Sequence, residues 1–168
     1  MKTVLKLTLA VVCVMFSTSL FAQKIGRINS QDVVINMAEF KQAQTQIETL
    51  AKDLQAQAET IQVELNNKFQ EYQKGMETMT DAVRQLKEKE LNDLSTRLQE
   101  FQQVAQQELQ KKEQELMEPI IKKANEAIAE VAKAGGYTVI LEVGSMVYYD
   151  DAAVVDITAE VKTKLGAK

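Results

Sequence analysis

A long run of helix-forming residues, from Glu39 to Ala134, limits most strongly what this chain can fold into. It contains one glycine, Gly75, and one proline, Pro119, and is otherwise rich in Gln, Glu, Lys, Ala and Leu, which cost little in a helix. Because the glycine interrupts the run, we predict two long helices folded back on each other, with the tip of this hairpin near residues 75–80. Pro119 is expected to kink the second helix where it meets the rest of the molecule.

The apolar residues of the two arms repeat in steps of four, four and three, which is an eleven-residue period. This period is close to the natural turn of an α-helix, so we expect nearly straight arms that pair along one stripe. Lys112 interrupts the second stripe. The stripe residues are Leu50, Leu54, Ala58, Ile61, Leu65, Phe69, Tyr72 and Met76 on the first arm, and Leu94, Leu98, Phe101, Ala105, Leu109, Leu116, Ile120, Ala124, Ala127 and Val131 on the second.

The hairpin tip combines a helix-restart signal with apolar side chains. Thr78 followed by Asp81 three residues later is a plausible capping box for the second arm. Flexible methionines adapt to varied surfaces, so apolar residues at the tip are candidate contacts for a binding partner. The alternative is that those on the repeat only hold the two arms together. The candidates are Phe69, Tyr72, Met76 and Met79.

The first 22 residues have the pattern of a secretory signal peptide. Lys2 and Lys6 precede an apolar run, and small residues follow it before Ala22, after which we predict cleavage. No other apolar segment approaches the length needed to span a membrane, so the mature chain is not expected to be an integral membrane protein. The single cysteine, Cys13, lies inside the signal, and the sequence has no histidine.

Charge and composition exclude several function classes. Removing two lysines with the signal leaves 18 basic and 24 acidic residues, a net charge of −6, which argues against binding nucleic acid. Contact with a membrane surface stays open. The mature chain has no cysteine or histidine, and it has no Gly-x-Ser-x-Gly or phosphate-binding motif. Asp150 and Asp151 lack a third carboxylate at calcium-loop spacing. We therefore expect no catalytic residue, no metal, no cofactor and no enzymatic activity.

Short elements at the two ends of the chain are expected to form a small β-rich body. A strand is predicted from Lys24 to Asn29, followed by a short helix over residues 31–37 with Ser30 as its N-cap. After the glycines that end the second arm, strands are predicted at residues 137–142 and 146–149. A turn at 150–153 leads to a last helix capped by Asp156.

The predicted domain organisation follows from these elements. Residues 1–22 are the signal peptide, residues 23–38 and 120–168 form the body, and residues 39–119 form the arm. A body of this size leaves much of its surface wet, so we predict a homo-oligomer whose copies share one core. The candidate core residues are Ile25, Ile28, Val139, Leu141, Val147, Tyr149, Ile157 and Val161.

Several segments resemble the Skp/OmpH family of periplasmic chaperones. They are Lys24–Asn29, Gly136–Glu142, Val147–Tyr149 and, most specific, the Asp-Ile-Thr-Ala-Glu-Val segment Asp156–Val161. The signal peptide and the hairpin occur in the same order, so the resemblance covers the whole chain. Family members are strongly basic whereas this chain is acidic, so no lipopolysaccharide site is carried over.

The resemblance implies a fold and a function. The fold is α+β: a long antiparallel helical hairpin, or coiled-coil tentacle, that projects from a small β-rich trimerisation body. The function is an ATP-independent holdase in the periplasm, whose homotrimer binds unfolded outer-membrane β-barrel proteins and prevents their aggregation during transit. The alternative from a different class is a structural coiled-coil spacer or adaptor of the cell envelope.

Overall fold

The computed structural model describes residues 24–167, so the predicted signal peptide lies outside the described residues. Long helices dominate this part of the chain, and three short strands form one sheet. The elements in chain order are β1 (Ile25–Ile28), α1 (Ser30–Ile35), α2 (Ala38–Gly75), α3 (Asp81–Ala134), β2 (Val139–Glu142), a 3₁₀ turn (Val143–Ser145), β3 (Val154–Asp156) and α4 (Thr158–Leu165).

The predicted antiparallel helical hairpin is confirmed. Helix α2 has 38 residues and α3 has 54. At about 1.5 Å per residue, α2 is roughly 57 Å long. The predicted stripe lies along the contact between the arms, because its residues are buried or half-buried over most of its length. We call this contact the seam, and its most buried members on the arm are Ala43, Leu54, Ile61, Leu94 and Leu98.

The turn between the arms differs in one detail from the prediction. The N-cap of α3 is Thr80, whose Oγ1 accepts a hydrogen bond from the Val83 N–H at 3.4 Å. Thr78 instead donates both its N–H and its hydroxyl to the Gly75 carbonyl. The predicted Thr78 cap is therefore wrong, because Thr78 belongs to the turn that ends α2.

Helix α3 passes through Pro119 as one element that ends at Ala134. Proline has no N–H, so the helical hydrogen bond to the Glu115 carbonyl is missing at this point. The residues around it are held from outside the helix: Ile120 is buried in a cluster that includes Met37 and Ala43 from the base of the first arm. The helix therefore continues without the break that the proline alone would favour.

All pairing in the sheet is parallel, in the order β2-β1-β3. The predicted strand at residues 146–149 is wrong, so Val147 and Tyr149 do not lie in a strand. The third strand is β3, which aligns Val154 with Ile25. The segment between β2 and β3 forms a loop, because the hydrogen-bonding edge of β1 that faces away from β2 is taken by β3.

One face of the sheet, the closed face, is covered by helices. Its core cluster combines Ile28 from β1, Val33 from α1, Ala127 and Val131 from α3, and Ile157 and Val161 around α4. The Ile140 side chain crosses Gly26, where an added Cβ would lie only 2.5 Å from Ile140 Cδ1. A larger residue at position 26 would therefore require the end of the Ile140 side chain to shift.

Two helix starts use other caps than the sequence suggested. The N-cap of α1 is Asn29, whose Oδ1 accepts from the Asp32 N–H at 2.9 Å, rather than Ser30. At α4 the cap position is taken by the buried Ile157. Asp156 still accepts a hydrogen bond from the first helical N–H, that of Thr158, at 2.9 Å.

Candidate functional surfaces

Apolar side chains are exposed near the tip of the arm. Phe69 and Met76, both proposed from the sequence, are 48% and 46% exposed. Two residues on the first turns of α3, Val83 and Leu86, are also exposed, Leu86 to 66%. We call Phe69, Met76, Val83 and Leu86 the tip patch. Exposed apolar groups on an otherwise polar helix pair are available for contact with another molecule.

The other two tip candidates, Tyr72 and Met79, hold the arms and the turn together. The Tyr72 hydroxyl donates a hydrogen bond of 2.6 Å to Glu88 Oε1 on the opposite arm, and this bond raises the pKa of Tyr72 above its ordinary value. Met79 is half-buried and packs on Gly75, where an added Cβ would lie 2.6 Å from Met79 Cε. Tyr72 therefore fits the arm-holding alternative.

Ion pairs also join the two arms. Lys68 Nζ on α2 lies 2.8 Å from Glu90 Oε1 on α3. Lys87, which lies on α3 with Glu90, places its Nζ 3.2 Å from Glu90 Oε2 within that helix. At the base, Lys123 pairs with Glu39. Hydrogen bonds from Lys68 and Lys87 lower the pKa of Glu90, and the bond from Lys123 lowers that of Glu39. These pairs are solvent-accessible, so they orient the arms more than they stabilise them.

The sheet face opposite the closed face, here called the open face, is largely apolar. Strand alternation and the parallel register place Ile25, Val139, Leu141 and Val154 on this face. Val139 and Leu141 are exposed, and the other two are half-buried. Arg27 is the basic residue at the centre of this face.

The predicted oligomerisation residues divide into two groups. Ile28, Ile157 and Val161 are buried within the single chain, so their burial requires no second copy. Val139, Leu141 and Val147 are exposed, as is the neighbouring Tyr148. Ile25 and Tyr149 are half-buried. A surface that could join copies is therefore the open face with the adjacent loop, and not the core under the closed face.

A shallow groove lies at the base of the arm, between α1 and α3. It measures about 400 Å³, and its apolar lining includes Val34, Ile35, Phe40, Met117 and Ile121. Ile35 and Ile121 are exposed. The groove is a third apolar surface on the molecule, after the tip patch and the open face.

Two kinds of site are absent from residues 24–167. None of the helices there is both long and apolar enough to cross a membrane. Within the same span, no group of three or more His, Cys, Asp or Glu side chains could hold a metal ion.

Comparison with known proteins identifies the family. The family model described as "Outer membrane protein (OmpH-like)" matches residues 24–165, which include the hairpin, the sheet and the whole of α4. The chain belongs to the OmpH-like family.

Individual relatives of this OmpH-like chain cover most of its length. It is 27% identical over 149 residues to "Chaperone protein Skp" from Yersinia enterocolitica, covering 86% of this chain and 87% of the relative. A crystal structure of an OmpH-like outer membrane chaperone from Caulobacter crescentus CB15 superposes with a TM-score of 0.74. It has 19% sequence identity and covers 85% of this chain and 83% of that one. The structural likeness supports the α+β hairpin fold.

Several surface residues of the OmpH-like chain were not found from the sequence. Val83, Leu86, Ile35 and Ile121 are exposed and apolar, and they belong neither to the predicted stripe nor to the predicted tip contacts. The exposed apolar residues on the arms could have been recognised in the sequence, because they lie outside the eleven-residue repeat. Such residues face away from the seam on a long helical arm.

Proposed function

We propose that this chain is an ATP-independent holdase chaperone of the periplasm, which binds unfolded outer-membrane β-barrel proteins and prevents their aggregation in transit. The observation that carries the proposal is the tip patch, a set of exposed apolar side chains on arms that are otherwise polar and charged. Both relatives are described as chaperones, which supports the same role.

The physical argument rests on weak, dispersed contacts. A holdase must contact many different unfolded segments without holding any of them irreversibly. Single apolar side chains separated by Gln, Glu and Lys give small contributions, each set by the apolar area it removes from water. The flexible Met76 can adjust its rotamer to different client side chains. The polar remainder of the arm keeps chaperone and client in solution.

The proposed active form is a homotrimer. Its support is the open face, where Val139 and Leu141 are exposed, together with the loop after β2, where Val147 and Tyr148 are largely exposed. Several exposed apolar groups on one small body are typical of an interaction surface. Three copies joined through their bodies would direct three arms around a common axis and enclose a space for a client. Export to the periplasm rests on the predicted signal peptide, residues 1–22.

A light-scattering assay tests the holdase role. A urea-unfolded outer-membrane barrel is diluted into buffer with increasing amounts of the mature chain, residues 23–168, without nucleotide. Suppression of scattering in proportion to added chain is the expected result. Unchanged aggregation at a severalfold excess would reject the proposal, and capture of one folded partner at fixed stoichiometry would favour the envelope spacer instead.

Sedimentation velocity tests the homotrimer separately. A single trimeric species at micromolar concentration is expected. A folded monomer throughout that range would remove the trimer from the proposal and leave the aggregation assay to decide the holdase role.

A further inference from the structure

Arg27 occupies an unusual place for a basic residue. It lies in the central strand β1, level with Leu141 on β2 and Asp156 on β3, in the middle of the open face. Its side chain is only 17% exposed. A charge that is largely removed from water needs close compensation, because desolvation penalises it.

Two carboxylates and an aromatic ring lie close to the Arg27 guanidinium and compensate its charge. Nη2 lies 3.0 Å from Asp151 Oδ1, and the guanidinium carbon lies 4.3 Å from the centre of the Tyr149 ring. Nε lies 3.4 Å from Asp156 Oδ2, within charge contact, although Nε has no hydrogen-bond partner among the described residues. Arg27 therefore contacts two residues of the loop before β3 and one residue of β3 itself.

Few other polar contacts connect this loop to the rest of the body. We call residues 146–153 the strap. Its backbone hydrogen bonds are local: Met146 N–H donates to Val143, and the Ala153 N–H donates to Asp150. In the part of the chain that the structure describes, the Arg27 ion pair is the one salt bridge or hydrogen bond that links the strap to a distant element.

The strap carries two apolar residues on its outer side. Val147 and Tyr148 are exposed almost completely, while the next residue, Tyr149, is turned back onto Arg27. The stacking of Tyr149 thus fixes the direction in which its neighbours point. If Val147 and Tyr148 had no fixed direction, they would have to become ordered when two copies associate. The entropy lost in that ordering would weaken binding.

We propose that Arg27 is a positioning residue for self-association: it holds the strap against the open face so that Val147 and Tyr148 are presented, preorganised, to a second copy of this chain. The inference rests on the homotrimer of the proposed function. Arg27 acts through Tyr149 and Asp151 and not through its own contact with the second copy.

Strap mobility is the first measurement. The mature chain has no cysteine, so the exposed strap residue Ala152 can be replaced, Ala152→Cys, and labelled with a single nitroxide. Arg27→Gln should raise the mobile fraction of the spin-label spectrum severalfold. The matched control is Lys162→Gln, which removes one charge from the Lys162–Asp32 pair at 3.1 Å, away from the strap.

Conservative variants separate positioning from a general loss of stability. Tyr149→Phe keeps the ring and should leave the strap immobile, whereas Tyr149→Leu should free it. Arg27→Lys keeps the charge near Asp151 but loses the planar group that stacks, so an intermediate spectrum is expected. Equal mobility in Arg27→Gln and in the unsubstituted chain would overturn the proposal, and so would equal loosening in Lys162→Gln.

Association is the second measurement, made by sedimentation on unlabelled chains. Arg27→Gln should raise the dissociation constant about tenfold, in line with the loss of one partly shielded ion pair and one stacking contact. A mobile strap with unchanged association would overturn the positioning role. If the unsubstituted chain is monomeric, the homotrimer fails, and the spin-label spectra still show separately whether Arg27 holds the strap.

Discussion

The body and the arm of this molecule are packed in different ways. Under the closed face, Val33, Ile157 and Val161 are 0–1% exposed because sheet and helices surround them on all sides. On the arm, Leu54, Ile61, Leu94 and Leu98 are 6–9% exposed, because each is covered only by the facing helix. The body therefore has a core that specifies one structure, whereas the arm has a single seam whose outer surface is free to contact other molecules.

The largest expected effect is in the body. Ile157→Asp places an uncompensated charge in the core and should cost more than about 4 kcal/mol of unfolding free energy, enough to unfold the body. Loss of cooperative denaturation followed by circular dichroism would show this. Persistence of the folded body would mean that the core is misassigned.

Leu141→Asp is the matched comparison within the same sheet. Leu141 is 38% exposed on the open face, so the single chain should keep its fold with this substitution. The expected loss is in sedimentation, where the trimer should dissociate. If Leu141→Asp unfolds the chain as Ile157→Asp does, the distinction between open and closed face is wrong.

An intermediate effect is expected at the seam. Ile61→Ala removes buried methyl groups and should cost about 2 kcal/mol, at the low end for such a change because the site is near the surface. The loss should be local, seen as faster hydrogen exchange in the arm with unchanged exchange in the body. Val63→Ala, two residues away and exposed, is the control, and an equal effect there would contradict the seam.

A smaller effect is expected at Tyr72. Tyr72→Phe removes the hydrogen bond to Glu88 but leaves the ring in place. Exchange near the tip should become faster than in the unsubstituted chain, but less so than with Ile61→Ala. An effect as large as that of Ile61→Ala would show that polar contacts, rather than the apolar seam, hold the arms together.

The smallest expected effect is on how the stability of the arm depends on pH. The pKa of Glu90 is lower in the folded arm than the ordinary value of 4.5, because Lys68 and Lys87 donate to the carboxylate. The contribution of the ionised Glu90 to the stability of the arm is therefore complete above pH 4.5, and it is lost as the pH falls through the folded-state pKa. Hydrogen exchange in the arm should rise on acidification below 4.5, relative to a reference peptide, and Glu90→Gln should reduce that change. An identical pH profile for Glu90→Gln would exclude this ion pair as the cause.

Periodicity made the arm predictable from the sequence. Leu54, Ile61, Leu94 and Leu98 recur with the helical turn, and a pattern confined to one face indicates what it packs against. Only part of the tip patch was predicted from the sequence. Phe69 and Met76 belong to the repeat, whereas Leu86 does not.

The body was less predictable because its contacts are non-local. Residues 146–149 have strand-forming side chains, yet Val154–Asp156 is the segment that pairs with β1. Strand preference depends on the available pairing edge more than on the residues themselves. Arg27 was likewise not singled out, since Tyr149 and Asp151 lie far along the chain from it.

The central claim is that clients contact the arm while the body assembles the copies. A combined variant, Phe69→Ser, Met76→Gln and Leu86→Gln, removes most of the tip patch. The control variant replaces exposed polar neighbours, Gln70→Ser, Gln73→Ser and Gln85→Ser.

The most direct measurement is light scattering of a diluted outer-membrane barrel, with both variants at the oligomeric state of the unsubstituted chain. The tip variant should require severalfold more chain for half-suppression of aggregation, and the control should match the unsubstituted chain. Full suppression by the tip variant would contradict the assignment of client contact to the arm tip.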